Sequence, residues 1–188
     1  TPVISVILGE GGSGGALGNA DITPDALGNL AAGSILVTRH LDRSEFPQFR
    51  SLALCRPGVL GTSGMESAAQ VKALCELTKP ELVIAIDALA GSDPKKLCRC
   101  IQISDAGIVP GSGVGNARRA LNRETLGAPV IAIGVPTVVD ARTLCADRLA
   151  MSGAAAALPA VEEELFVTPR DIDCRVREAA RLIGYAIN

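Results

Sequence analysis

The sequence predicts an α/β protein, a three-layer α/β/α sandwich built on a mostly parallel sheet. Three observations carry that prediction. The apolar runs are continuous and β-branched rather than alternating, as expected of strands covered on both faces. They alternate along the chain with segments of helical periodicity, the pattern of crossover connections. The composition is aliphatic: of 188 residues 48% are hydrophobic but only 2% are aromatic, so the core must be built from Val, Ile, Leu and Ala.

Taken in order, Val3 to Leu8 reads as the first strand and Ser34 to Thr38 as the second. Leu82 to Ile86 is apolar at every position and reads as the third; Cys100 to Ser104 and Val130 to Val135 complete the set. Between them, Thr23-Pro24-Asp25 supplies an N-cap hydroxyl followed by Pro at the first helical position, opening a helix that stops near Gly33. Met65 to Leu77 has apolar positions at helical spacing, and Thr137 to Met151 is rich in Ala and Leu. Thr168-Pro169 repeats the first start signal, and Ile172, Val176, Ala179, Ile183 and Ile187 form one apolar stripe suited to docking. The whole chain, 1–188, reads as a single domain with a Gly-rich, linker-like segment at 9–16.

Several function classes are disfavoured by composition. Eighteen Lys and Arg against 20 Asp and Glu give a net charge of −2, which is no footprint for DNA or RNA. Scarce aromatics leave few platforms for stacking bases. No apolar run approaches the roughly 18 residues of a membrane span, and no signal peptide is expected ahead of the first strand. The six cysteines, at 55, 75, 98, 100, 145 and 174, include no C-x-x-C and no zinc spacing with the lone His40. Several of them read as small buried hydrophobes, and a reducing, cytoplasmic compartment is expected.

Gly9 to Gly14 spells G-x-G-x-x-G after a strand, but a dinucleotide loop also needs a helix opening at its third Gly. The residues that follow, Gly15-Ala16-Leu17-Gly18-Asn19, are poor helix formers. No cofactor is therefore expected.

Ligands of open parallel sheets bind beyond the carboxyl ends of the strands, so polar residues that terminate strands are the candidates. Asp87 directly follows Leu-Val-Ile-Ala-Ile and is the hardest to explain structurally, because an unpaired buried carboxylate is costly. Asp105 and Asp140 also end strand-like runs, although each equally suits a turn or a helix end. Asp25 lies in the first turn of a helix, which favours its ionised form whatever its role. Two carboxylates at one sheet edge suit acid–base chemistry: one deprotonates water, and the other, kept protonated by the first, hydrogen-bonds a carbonyl. The same carboxylates could instead hold a water-activating metal, and a further alternative is a non-catalytic or nucleotide-binding α/β module. A triad centred on His40 lacks a G-x-S-x-G nucleophile elbow.

Long ordered stretches carry a resemblance. Leu17-Gly18-Asn19, Thr23 to Gly28, Thr38 to Leu41, Ala85 to Ala90, Ile101 to Asn116, Glu124 to Ala141 and Phe166 to Asp173 are similar to the spore germination protease family. The likeness covers most of the chain from Leu17 onward, and members of the family are considerably longer. It implies an atypical aspartic endopeptidase that degrades small acid-soluble spore proteins in the spore core during germination. It also implies a fold similar to hydrogenase maturation proteases, a zymogen with a removable N-terminal segment, and a homotetramer. The family's two catalytic aspartates fall on Asp25 and Asp87. Asn19, His40, Asp105 and Asp140 are then supporting or substrate-binding candidates, with no metal and no direct nucleic-acid partner.

Overall fold

The structure is a computed structural model that describes residues 3–8, 26–58, 63–112, 118–153 and 165–188. Six strands form one sheet: β1 (Val3–Leu8), β2 (Ser51–Cys55), β3 (Leu82–Gly91), β4 (Gln102–Ser104), β5 (Val130–Asp140) and β6 (Phe166–Val167). Among the described residues five α-helices accompany them: α1 (Leu27–Ala32), α2 (Ser67–Thr78), α3 (Arg123–Leu126), α4 (Ala141–Met151) and α5 (Ile172–Ile187). The strand order is β2-β1-β3-β5-β4, with β6 also on β5.

The sheet is mixed, not mostly parallel as the sequence suggested. β1 pairs parallel with β2 and β3, and β3 pairs parallel with β5. β4 and β6 run antiparallel to β5. Parallel neighbours need a crossover of a dozen or more residues, usually helical. The link from β3 to β4 holds only a 3₁₀ turn, Pro94–Lys96, and Cys98 sits in a left-handed conformation (φ 53°). Cys98 N–H donates to Pro136 O at 2.7 Å, so the chain folds back along β5 instead of crossing over.

β3 shows why its run is continuously apolar. Ile84, Ile86 and Ala88 pack with Leu27 and Ala31 of α1 and Val176, Ala180 and Ile183 of α5. Val83 and Ala85, pointing the other way, pack with Ala68, Val71 and Cys75 of α2. The expected stripe on α5 is therefore docking surface. Gly184 lets α5 approach α1 closely, since a Cβ there would stand 2.6 Å from that of Ser34.

Three expected elements shift. Ser34 to Thr38 is no strand; the edge is taken by β2, and Thr38 touches it only through its N–H to Leu52 O (3.0 Å) and its side chain. Thr137 to Asp140 extend β5 instead of opening α4, consistent with the β-branched pair Val138-Val139. Thr168 does not cap α5: its hydroxyl donates to Thr137 O (2.8 Å), and the helix begins at Ile172. The Gly-rich segment 9–16 lies outside the described residues.

Candidate functional site

The order β2-β1-β3 reverses direction at β1, so the crevice of this sheet opens between the carboxyl ends of β1 and β3. Leu8, the last described residue of β1, pairs with Ile86. Asp87 is the next residue of β3. On its other side it pairs with Gly134 of β5.

Asp87 is buried, with 7% of its surface exposed. Its Oδ1 accepts the N–H of Ala88 at 2.9 Å. Burying a carboxylate without such donors costs several kcal/mol, roughly, so a strand interior would not retain it for packing alone. Asp87 does not end its strand as the sequence suggested, because β3 continues to Gly91; it is a buried mid-strand carboxylate that can take or return a proton.

The other candidates that the structure describes, His40, Asp105 and Asp140, are dispersed. Asp25 and Asn19 lie outside the described residues; the described chain resumes at Ala26, the residue that leads into α1. His40 is exposed, and its neighbour Arg39 donates its N–H to Leu52 O. Leu52 is level with Ile4 and hence with Leu82, so that anchor lies about 16 Å along the strands from the level of Asp87. Asp140 is six residues beyond Gly134 on β5, about 20 Å along the strand, and its Oδ1 caps α4 by accepting the N–H of Thr143 at 2.9 Å. Asp105 is exposed, and the antiparallel course of β4 carries it toward the amino-terminal half of β5. The turn there is held by Ser104 Oγ, which accepts the N–H of Ala106. Among the described residues no group of three or more His, Cys, Asp or Glu could hold a metal ion.

One residue at this level went unnoticed in the sequence. Gln102 pairs with Gly134 from the opposite side to Asp87. Its run was legible as a strand, but its antiparallel register was not.

The comparisons with known proteins agree with one another. The family model described as "Germination protease" matches residues 14–152, a span that contains all six candidate residues. A germination protease of Bacillus mycoides (strain KBAB4) is 51% identical over 138 residues, covering 71% of this chain and 37% of the relative. Those of Bacillus cereus (strain AH187) and Bacillus anthracis (strain CDC 684 / NRRL 3495) are each 52% identical over 137 residues, with the same two shares. The chain thus spans little more than a third of the length of these relatives. No helix among the described residues is long and apolar enough to cross a membrane.

Proposed function

The chain belongs to the germination protease family, and on that premise we propose that it carries the peptide-hydrolysing unit of a spore germination endopeptidase, with Asp25 and Asp87 as an aspartate pair. The observation that carries the proposal is the buried carboxylate of Asp87 at the reversal between β1 and β3, inside the matched span. The substrates are small acid-soluble spore proteins, and the site of action is the spore core. The complete fold is a three-layer sandwich like that of hydrogenase maturation proteases, assembled as a homotetramer from a zymogen. No cofactor and no nucleic-acid contact take part.

In the reaction, one aspartate, ionised, takes a proton from water as the water oxygen bonds to the scissile carbonyl carbon. The other, protonated, donates its proton to the carbonyl oxygen. Collapse of the tetrahedral intermediate breaks the C–N bond: the amine leaves with the proton held by the first carboxyl, and one hydroxyl of the diol returns its proton to the second carboxylate. Two adjacent carboxylates resist double ionisation, so sharing one proton is their resting state.

The test is incubation with a purified small acid-soluble spore protein, reading product masses. Asp25→Asn and Asp87→Asn are each expected to abolish cleavage while the circular dichroism spectrum and Tm persist, since Asn keeps the acceptor that Ala88 uses. Retained cleavage in both variants overturns the aspartate pair. Dialysis against a chelator is expected to leave activity intact; loss that is restored by a divalent cation would assign the same carboxylates to a metal.

A further inference from the structure

Gln102 stands in the row of the sheet that carries Asp87. Gly134 of β5 is paired with Asp87 on one side and with Gln102 of β4 on the other. Residues directly opposite one another project from the same face. The packing agrees: Leu89, two residues from Asp87 and so on its face, occupies the space where a Cβ of Gly134 would lie. Asp87, Leu89 and Gln102 therefore share one face, with no side chain of β5 in the row between them. Two strand spacings separate the backbones of Asp87 and Gln102, roughly 10 Å, or about three residues of extended polypeptide.

The three offer different surfaces: Asp87 is buried, Leu89 half-buried and Gln102 exposed. The polar side chain two residues further on β4 is committed, since Ser104 Oγ accepts the N–H of Ala106 at 3.1 Å. The carboxamide of Gln70 is committed too, accepting the N–H of Gly58 and donating to its carbonyl. Among the described residues nothing hydrogen-bonds the carboxamide of Gln102, and no further strand pairs with the outer side of β4.

We propose that Gln102 is a substrate-binding residue whose carboxamide hydrogen-bonds the main chain of the polypeptide substrate, about three residues from the bond cleaved at Asp87. A carboxamide is donor and acceptor at once, so it can meet the carbonyl and the N–H of a peptide backbone together. Each residue of a substrate other than Pro supplies both groups, so the contact sets how the chain lies without selecting a side chain. Leu89 gives the strip between the two polar groups an apolar surface for the substrate to cover. The contact is made before the transition state as well as in it, so it serves binding and not the chemical step.

The inference rests on the peptidase reading, and its test separates the two. Cleavage of a purified small acid-soluble spore protein is followed with the unaltered chain, Gln102→Ala and Asp87→Asn. Gln102→Ala is expected to raise KM roughly three- to tenfold, the worth of one net hydrogen bond, with kcat and Tm unchanged. Lys72→Ala, on the exposed surface of α2, is expected to change neither constant. A second measurement locates the contact. Synthetic peptides spanning the bond identified from the product masses carry a main-chain ester in place of one amide, at successive positions on either side of that bond. An ester lacks the N–H and is a weaker acceptor. The ester about three residues away is expected to raise KM with the unaltered chain and to add nothing further with Gln102→Ala. Unchanged KM in Gln102→Ala, a loss confined to kcat, or full additivity at every ester position overturns the role of Gln102 and leaves the peptidase reading in place. Cleavage that persists in Asp87→Asn, or no cleavage by the unaltered chain, overturns the peptidase reading and this proposal with it.

Discussion

Leu89 fills the space that a side chain at Gly134 would need. A Cβ built at Gly134 would collide with the whole isobutyl group, its Cγ at 2.6 Å and its Cδ2 at 3.0 Å. Gly134 is also the residue directly opposite Asp87. Leu89 occupies the space over Gly134 on the strand pair that carries the candidate carboxylate. The absence of a side chain at 134 is thus a packing requirement of the site's own strand pair.

Gly134→Ala is accordingly expected to destabilise the fold by about 1–3 kcal/mol, the usual cost of forcing atoms into a filled core. Leu89→Ala in the same chain should recover most of that loss, because it vacates the contested volume. Urea unfolding of the two single variants and the double variant measures the coupling. Strict additivity would mean that Leu89 is not the obstacle.

How much was legible follows from these contacts. β1, β3 and β5 could be read because strands buried on both faces must be apolar throughout, and Asp87 stood out as the polar residue ending such a run. Ser34 to Thr38 misled because its composition is that of a strand while its backbone partners come from elsewhere. Asn188 takes the two polar groups that a neighbouring strand would use: its Nδ2 donates to Ser34 O (2.7 Å) and its Oδ1 accepts the N–H of Leu36 (2.8 Å). Leu36 and Val37 are left 60% and 43% exposed. A contact between positions 152 residues apart has no local signal. Strand direction was hidden for the same reason, since β4 and β6 are antiparallel through the route of their connections.

Asn188→Ala is expected to free the segment 34–38 without unfolding the sheet. Both hydrogen bonds are exposed, so water replaces them and the loss is about 1 kcal/mol. The sharper readout is hydrogen exchange: the Leu36 amide should exchange much faster in the variant, while amides of β3 keep their protection. Unchanged protection at Leu36 would show that the C-terminal carboxamide does not hold it.

Thr137 gives a prediction of the opposite sign. It is the extra residue of the β3–β5 irregularity, where Leu89 pairs with Pro136 and Ala90 with Val138. The residue is fully buried, and among the described residues its hydroxyl has no hydrogen-bond partner. Its carbonyl, by contrast, is used by Thr168. Replacing an unsatisfied buried hydroxyl by a methyl group of similar shape removes a desolvation cost, so Thr137→Val should stabilise by about 1 kcal/mol. A denaturation midpoint that falls would assign the hydroxyl a partner present only in solution.

The last prediction concerns acid. Asp171 at the start of α5 is held below its ordinary value of 3.8, chiefly by the hydrogen bond from Arg175 Nε, with desolvation opposing. A carboxylate whose pKa is depressed by folding contributes stability above its unfolded value and loses it as pH falls through the folded one. The unaltered chain should therefore be more stable than Asp171→Asn near neutrality, with the difference shrinking as pH drops below 3.8. The pair is exposed and lies one helical turn apart, so the difference is small and should also shrink in high salt. Comparing Tm of the two proteins across this pH range, at low and high salt, checks both trends. A gap that stays constant with pH and salt would mean that Asp171 supports α5 through packing and not through its charge.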